Sequence, residues 1–284
     1  MKALVISLKR AEKRQLVFFG HAKQHGWEVE LFEAVERNDL SIQHDSTKEA
    51  LVTSSRDPSL KLKLKADSNG TISLGTGHCA CALSHIKIWE MVVRDAHNAV
   101  VVFEDDAVIL RPPVFEPWPD DADFIFLSNR VSAVVPDEID TESDLEEWVK
   151  QNPYSLMVPG CGTEAYIVTQ SGARKALEIM KEMFCPVDLQ LMGCAKRASP
   201  ERSPVGKSEM PECVMYATTE CFTNHVDGGM SYVNEGEGYP TKDILCGDLR
   251  KRMEIMAMQP RSKRASGLGL VNGRKGGNDQ PLKL

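Results

Sequence analysis

Apolar and polar stretches alternate over the first part of the chain in a way that predicts a β-α-β unit. Lys2–Leu8 is a short apolar run typical of a buried strand, and the charged segment after it opens a helix that extends to about Gly26. Trp27–Val35 alternates enough to form the next strand. Because strands joined through a helix usually run parallel, we predict a parallel sheet here.

A second helix and a fully apolar strand follow near residue 100. Apolar side chains recur at helical spacing through His78–His97, after two glycines have interrupted the chain. Ala99–Phe103 is apolar at every position, which predicts a central parallel strand buried on both faces. Three acids, Glu104, Asp105 and Asp106, come directly after this strand.

Further segments continue the alternation of strands and helices. Leu60–Lys65 alternates with period two and predicts an edge strand whose lysines face water, with phosphate or acceptor binding by those lysines as the alternative. Strands are also predicted at Asp123–Leu127 and Glu164–Val168, and helices at Ser171–Phe184 and after a capping box at 143–146. The whole pattern predicts an α/β fold with a mostly parallel central sheet.

Two segments are predicted to lie outside the folded sheet. Lys196–Pro211 is rich in serine, proline and charge, which is typical of a mobile loop that can act as a lid. The chain turns basic from Lys251, and Arg261–Leu284 is rich in glycine. We therefore assign residues 1–250 to one domain and 251–284 to a flexible tail, which is either solvated or in contact with an anionic membrane.

Composition narrows the class of protein. Hydrophobic residues make up 42% and charged residues 26% of the 284 positions, as in ordinary globular proteins. The formal net charge of -7 disfavours a nucleic-acid binder that relies on a general positive field. No apolar run reaches the roughly 20 residues that span a bilayer, and the N-terminus lacks a signal-peptide layout, so a cytoplasmic protein is expected.

The cysteines carry no expected function. The eight cysteines are scattered, and none forms the C-x-x-C pair that is common in zinc sites. Cys79 and Cys81 form the one close pair, but two residues apart in a helix they turn to different faces. Metal or redox chemistry at this pair is therefore not expected.

The acidic triplet is the main candidate for chemistry. Ligands of an open parallel sheet bind at the carboxyl ends of its strands, which is where these acids lie. Alternation along an extended chain predicts that Glu104 and Asp106 project together and Asp105 the other way. Neighbouring carboxylates are stabilised by a cation, and oxygen ligands favour Mg²⁺ or Mn²⁺, which can bridge the phosphates of a nucleotide-sugar. A solvated acidic turn is the alternative.

The segment around the triplet resembles glycosyltransferase family 25. The resemblance is carried by LGTGHCACALSHIKIWEMVVRDAHNAVVVFEDDAVIL at 74–110, and by VISLKRAEKR at 5–14, FEAVERNDL at 32–40, DFIFL at 123–127, GTEAYIVTQSGARKAL at 162–177 and CPVDLQL at 185–191. They occur in order between residues 5 and 191, a span of roughly two thirds of the chain. The family includes lipopolysaccharide galactosyltransferases and collagen hydroxylysine galactosyltransferases.

The resemblance implies a GT-A type fold, a UDP-sugar donor, dependence on Mn²⁺ and inversion at the anomeric carbon. It makes Glu104, Asp105 and Asp106 the metal and diphosphate site, with Asp106 the principal metal ligand beside Glu104. Ser84 and His85, in the matched CALSH segment, would lie on the helix that supports the strand. His85 would either face the donor or pack within the helix layer.

The resemblance also suggests residues that handle the two substrates. Arg10 and Arg14 follow the first strand and are candidates for phosphate binding, with a solvated helix face as the alternative. Asp188 matches an acid of the family and is a candidate general base, or else a helix cap. Glu164 replaces a small residue of the family and is either a second carboxylate near the acceptor or a surface group on an edge strand. His225 is a candidate late metal ligand.

The predicted function is transfer of galactose, glucose or xylose from a UDP-sugar to a hydroxyl of a glycan or glycoconjugate. Two other functions remain open at this point. A metal-assisted phosphoesterase would need several acids and histidines around its ions, whereas the sequence has one tight acidic group. A non-catalytic, sugar-binding member of the family is the other alternative.

Overall fold

The structure, a computed structural model, describes residues 1–67, 69–115, 117–128, 130–136, 138–158, 162–196, 210–220 and 222–225. Most of the predicted loop at 196–211 and the predicted tail lie outside these ranges, so the boundary at residue 250 stays a prediction. Within the described residues the chain is α/β. The helices are α1 (Glu12–Gln24), α2 (Thr76–Arg94), α3 (Glu142–Gln151), α4 (Gln170–Ile179) and α5 (Val187–Gly193).

Fourteen strands are present in the described part of the chain. In chain order they are β1 (Lys2–Ser7), β2 (Glu30–Glu33), β3 (Leu40–His44), β4 (Glu49–Ser54), β5 (Lys61–Lys65), β6 (Ala99–Glu104), β7 (Ala107–Ile109), β8 (Phe124–Phe126), β9 (Ser132–Ala133), β10 (Tyr154–Val158), β11 (Ala165–Thr169), β12 (Glu182–Met183), β13 (Met215–Thr218) and β14 (Thr223–His225). They form a sheet of eight strands, a sheet of four and a two-stranded ribbon of β7 and β14.

The central sheet has the strand order β2-β1-β6-β11-β8-β13-β10-β9. β1 is parallel to both β2 and β6, and β13 is parallel to β8. β11 is antiparallel to β6 and β8, and β10 is antiparallel to β13 and β9. Six of these eight strands therefore run in one direction, with β11 and β10 opposed. The predicted β-α-β start and the mostly parallel central sheet are confirmed.

β6 is buried on both faces, as its unbroken apolar sequence predicts. Val100 and Val102 pack into one core together with residues of α2, α4 and the smaller sheet. Val101 and Phe103 pack into a second core, on the other side, with Phe18 of α1. The strand that leads to the acidic triplet is thus clamped between two hydrophobic cores, which fixes the position of its last residue.

The smaller sheet has the order β12-β5-β4-β3 and corrects one prediction. β5 shows the predicted alternation, with its lysines exposed and Leu62 and Leu64 buried. It is not an edge strand, however, because it pairs with β4 on one side and with β12 on the other. Lys65 is held by an ion pair with Glu182 of β12, at 2.9 Å.

Two predicted helices differ from the structure in their ends. α3 is capped by Thr141, whose Oγ1 accepts a hydrogen bond from the Asp144 backbone N–H, so the capping residue lies two positions before the predicted Ser143. α4 ends at Ile179 rather than at Phe184, because the chain then forms β12 beside β5. No helix among the described residues has the length and apolar character to cross a membrane.

Replacing Gly172 with alanine is expected to destabilise the fold. Gly172 lies in the first turn of α4, where an added Cβ would overlap with the backbone carbonyl of Asp123. Since backbone must move to admit the methyl group, we expect a loss of about 1–3 kcal/mol in the free energy of unfolding. Urea unfolding at constant pH measures it.

The control is Gly20→Ala in α1, where an added Cβ would meet no atom within 4 Å. Alanine is favoured over glycine in a helix interior, so this variant is expected to gain about 0.5–1 kcal/mol. Equal effects of the two substitutions would contradict the close approach of α4 to Asp123.

Candidate functional site

Four strands bring polar side chains to one edge of the central sheet. β1, β6 and β8 end at this edge, and β11 starts there because it runs antiparallel to β6. Ser7, Glu104, Ser128 and Glu164 therefore become neighbours, and the Glu104 backbone N–H donates to the Glu164 carbonyl at 2.8 Å. The edge is the one at which α/β sheets bind ligands.

Glu104, the last residue of β6, points towards α2 and β11. Its Oε1 accepts a hydrogen bond from Thr163 Oγ1 at 2.7 Å and lies 3.3 Å from His85 Nε2. The side chain keeps 27% of its surface exposed. Glu104 is therefore oriented by two neighbours and is still accessible to a ligand at the strand-end edge.

Asp105 and Asp106 share a guanidinium. Arg14 Nη2 lies 2.6 Å from Asp105 Oδ1 and 2.9 Å from Asp106 Oδ2, and Ser7 Oγ donates to Asp105 Oδ2 at 2.6 Å. Burial raises the pKa of Asp105, and the Arg14 charge and the Ser7 hydrogen bond oppose that rise. Arg14 is thus placed on the acidic triplet itself.

The charges of the triplet are compensated in part by the protein. Arg14 contacts two of the three carboxylates, and the triplet together with Arg14 carries two formal negative charges, before any other group is considered. The expected need for a cation is therefore met partly by Arg14. A divalent ion would balance the remainder, and the oxygen ligands suit a hard cation such as Mn²⁺ or Mg²⁺.

Cys81 on α2 lies close to Glu104 and His85. Burial raises the pKa of its thiol, and the charges of Glu104, Asp188 and Asp106 raise it further. Cys81 therefore lies in an acidic environment, in which Glu104 is the carboxylate that contributes most. Asp105 and Asp106 both contact Arg14, whereas Glu104 contacts Thr163 and His85, so the predicted separation of Asp105 from Asp106 is not seen in these contacts.

Glu164 is buried, so its predicted alternative as a surface group on an edge strand is wrong. It directly precedes β11, an interior strand, and only 2% of its surface is exposed. Ser128 Oγ donates to Glu164 Oε1, and Arg130 Nη1 lies 3.7 Å from Oε2. Burial raises the pKa of this carboxyl to about 7, against the lowering effect of Arg130 and Ser128.

Gly162 connects the two candidate bases. Its backbone N–H donates to Asp188 Oδ2 at 2.7 Å, and an added Cβ would overlap with Glu164 Oε2. Gly162 has φ +98°, which favours glycine. Asp188 is in the first turn of α5 but caps it neither by position nor by hydrogen bond, since the capping residue is Pro186. Its partly exposed carboxylate is instead held by the hydrogen bond from Gly162, just before β11 begins.

Ser84 and His85 lie on α2, as predicted, and both are buried. Ser84 Oγ donates to the Ala80 carbonyl at 2.7 Å and accepts from the Val35 backbone N–H at 2.9 Å, which ties α2 to the chain after β2. His85 faces Glu104 and therefore lies beneath the strand-end edge. Donor binding by either residue stays a prediction.

Arg10 lies away from the triplet, beside the ends of β1 and β2. Its guanidinium pairs with Glu36 at 2.8 Å, and this hydrogen bond lowers the pKa of Glu36. Both residues line a cleft of about 330 Å³ at these strand ends, together with Arg56. Phosphate binding by Arg10 stays a prediction, now at a defined place.

His225 is brought back to the triplet by the β7–β14 ribbon. β7 begins at Ala107, the residue after Asp106, and its register pairs Ala107 with His225. The predicted late metal ligand is therefore next to the acids along the backbone. Its role in binding a metal stays a prediction.

Several site residues have no signal in the sequence. Ser7, Thr163, Ser128 and Arg130 acquire partners only when the strand ends meet. Cys81 is different, because its spacing of four residues from His85 on α2 places both on one face, and that spacing is visible in the sequence. The expectation that Cys79 and Cys81 face different ways agrees with the full burial of Cys79.

The raised pKa of Glu164 predicts a pH dependence of stability. The folded protein binds more protons than the unfolded chain between the ordinary pKa of 4.5 and about 7, so the free energy of unfolding falls as pH rises through this window. Glu164→Gln removes the titration. Between pH 4.5 and 8, we expect the free energy of unfolding of wild type to fall on the order of 3 kcal/mol further than that of this variant.

Urea unfolding at pH 5 and pH 8 measures this difference. The control is Glu178→Gln, which alters an exposed carboxylate on α4 that pairs with Lys181. It should keep the wild-type dependence on pH. Parallel behaviour of Glu164→Gln and wild type would show that Glu164 is ionised in the fold throughout this range.

The fold and the acidic edge are those of an α/β protein that binds ligands at the strand ends of its central sheet. Comparison with known proteins specifies the family. The profile of glycosyltransferase family 25 (LPS biosynthesis protein) matches residues 1–191 of the 284. The chain belongs to glycosyltransferase family 25, which confirms the resemblance seen in the sequence and favours a transferase over a phosphoesterase.

Two curated relatives are similar over part of their length. A glycosyltransferase 25 family member of Aedes aegypti is 27% identical over 252 residues, which cover 82% of this chain and 37% of the relative. A Haemophilus influenzae protein described as a "Putative glycosyltransferase" is 25% identical over 193 residues, or 65% of this chain and 59% of the relative. The matches thus span less than two thirds of either relative.

Among solved structures, a Drosophila β-1,4-galactosyltransferase 7 mutant, in complex with manganese, UDP-Gal and xylobiose, is similar over 89% of this chain and 78% of that one. The sequence identity is 8% and the TM-score is 0.32.

Proposed function

We propose that this chain is a glycosyltransferase that moves a sugar from a UDP-sugar to a hydroxyl of a glycan or glycoconjugate, with inversion and with the help of Mn²⁺ or Mg²⁺. The observation that carries the proposal is the placement of Glu104, Asp105 and Asp106, the last two in contact with Arg14, at the strand-end edge of a family 25 fold. Galactose, glucose and xylose are the candidate sugars.

The donor is proposed to lie along the ends of β1, β2 and β6. The cleft beside Arg10 and Glu36 offers charged and polar groups for the nucleoside. Arg14, which contacts Asp105 and Asp106, is near enough to the triplet to bind a diphosphate oxygen through its planar, bidentate guanidinium. The two arginines would thus serve different parts of one ligand.

The residues that would hold the divalent ion are Glu104 and Asp106, with His225 as a further candidate. Their donor set fits, because carboxylates are hard oxygen ligands and two formal negative charges remain after Arg14 is counted. Bound there, the ion would stabilise the charge of the departing diphosphate. His85 and Thr163 would keep Glu104 turned towards the cleft.

Asp188 is the proposed general base. In a single displacement the acceptor oxygen forms a bond to the anomeric carbon while the bond from that carbon to UDP breaks, and the base takes the hydroxyl proton. Asp188 suits this role because its carboxylate is partly exposed and oriented by the Gly162 backbone N–H. Glu164, buried and with a pKa of about 7, is the second candidate.

The test is an incubation of the protein with a panel of UDP-sugars, with and without Mn²⁺, in which thermal stability and donor consumption are followed. We expect at least one UDP-sugar to raise the melting temperature in a Mn²⁺-dependent way and to be consumed. Stabilisation without any consumption, in the presence of glycan acceptors, would favour the non-catalytic, sugar-binding alternative. No stabilisation and no consumption would overturn the proposal.

A further inference from the structure

A thiol, an imidazole and a carboxylate lie close together on the α2 side of the strand-end edge. Cys81 and His85 are four residues apart on α2 and so lie on one face of the helix. Glu104 approaches them from the end of β6. One ligand atom from each of the three residues lies within 4.8 Å of the other two, which is a spacing that one metal ion can bridge.

His85 is held in a fixed orientation for such a role. Its ring is 1% exposed, and its Nδ1 lies 2.8 Å from the Tyr166 hydroxyl. Trp89 Nε1 donates to the same hydroxyl at 3.2 Å. Because Nδ1 is engaged, Nε2 faces Glu104 at 3.3 Å. A buried partner on one ring nitrogen is the arrangement that orients metal-binding histidines in proteins.

We propose that Cys81, His85 and Glu104 form a binding site for a thiophilic divalent ion of the zinc class. Sulfur and imidazole ligands select Zn²⁺, Co²⁺ or Cd²⁺ over Mg²⁺ and Mn²⁺, which prefer oxygen. Three protein ligands leave a fourth position for water in a tetrahedral site. The site differs in chemistry from the carboxylate site proposed for the donor, but the two share Glu104.

Because Glu104 belongs to both sites, metal binding at Cys81 and His85 is expected to affect activity. This expectation rests on the proposed function. A Glu104 carboxylate bound to Zn²⁺ is a weaker ligand for a second cation, and two neighbouring divalent ions repel each other. Occupation of the thiol site by Zn²⁺ is therefore expected to lower Mn²⁺-dependent sugar transfer. The inhibition would depend on Cys81, which the donor site does not use.

Binding is tested with Co²⁺ as the probe, added to the reduced full-length chain after metal has been removed with a chelator. Wild type is expected to bind one Co²⁺ with the near-ultraviolet charge-transfer absorption of a sulfur–cobalt bond. Cys81→Ala should lose this band. The matched control is Cys79→Ala, two residues away and fully buried, which should keep it. Absence of the band in wild type, or its survival in Cys81→Ala, would overturn the proposal.

A second variant guards against misfolding. His85→Gln keeps the α2 cysteines and should weaken Co²⁺ binding by at least about tenfold. Each variant must unfold at a urea concentration close to that of wild type before its Co²⁺ affinity is interpreted. A variant that fails this check is replaced by Glu104→Gln, for which the same loss of affinity is expected, and unchanged affinity would overturn the site.

The two proposals fail independently. The Co²⁺ band needs no UDP-sugar, so a band that depends on Cys81 in a chain without transferase activity would overturn only the proposed function. The activity arm compares the ratio of turnover with and without Zn²⁺ in wild type and in Cys81→Ala. Equal ratios would overturn the shared-ligand consequence, whereas inhibition confined to wild type would support it.

Discussion

Turnover of the UDP-sugar is expected to fall by about 100-fold or more when Asp106 is replaced by asparagine, the size of effect seen when one electrostatic group is removed from a site of developing charge. Asp106 is one of the carboxylates left to bind a cation after Arg14 has compensated a single charge of the triplet. The variant should also lose the Mn²⁺-dependent part of donor binding. Calorimetric titration with UDP, with and without Mn²⁺, measures this part.

The control for Asp106→Asn is Asp95→Asn. Asp95 follows α2 at the opposite edge of the sheet, where it pairs with Arg94 in solvent. Removing its charge changes the net charge of the protein equally, but leaves the strand-end edge untouched. Donor affinity of Asp106→Asn equal to that of wild type, with Mn²⁺ present, would refute the assignment of Asp106 as a metal ligand.

Replacing Asp188 with asparagine is expected to separate catalysis from donor binding. The amide oxygen can still accept the hydrogen bond from the Gly162 backbone N–H, so the geometry is kept, but the amide cannot take a proton. We expect kcat to fall by about 100- to 10,000-fold while the affinity for UDP and Mn²⁺ stays at the wild-type level. Steady-state kinetics and UDP titration measure the two quantities.

Glu164→Gln is the matched comparison for Asp188→Asn, because Glu164 is the other carboxyl group beside Gly162. If the large loss of kcat occurs in Glu164→Gln and not in Asp188→Asn, the base is Glu164. A parallel loss of donor affinity and turnover in Asp188→Asn would instead assign Asp188 to the donor side of the site.

The central part of the fold is predictable because its signals are local and strong. Ala99–Phe103 has no polar residue, which predicts a strand buried on both faces. All five side chains are buried in the structure. Two cores, one on each side of the sheet, bear this out. The sequence alone therefore places the acids that follow this strand at a strand-end edge of the sheet.

The smaller sheet could not be predicted in the same way. β5 pairs with β12, and the ion pair between Lys65 and Glu182 joins residues 117 positions apart. Period-two alternation shows that Leu62 and Leu64 face a core, but it contains no information about which strand lies alongside. The alternating lysines therefore looked like protection of an edge, although the strand is covered on both sides.

The position of the acids after β6 could be predicted from the sequence, but most of the residues that contact them could not. Helical periodicity tells which face of α1 carries Arg14, but not that this face meets Asp105 and Asp106. Ser128 and Thr163 contact their carboxylates only because β11 runs antiparallel to β6. Cys81 does have a signal in the sequence, because its separation of four residues from His85 on a helix places both side chains on one face.

The register of the β7–β14 ribbon has a practical consequence for protein engineering. His225, the last described residue, pairs with Ala107, so the backbone at His225 lies beside the acidic triplet. A protein cut after His225 would carry its new terminal carboxylate there and add a negative charge to the strand-end edge. Lys2, where β1 begins, lies at the opposite edge of the sheet. Affinity tags and fusion partners of such a shortened protein are therefore better placed at its amino terminus.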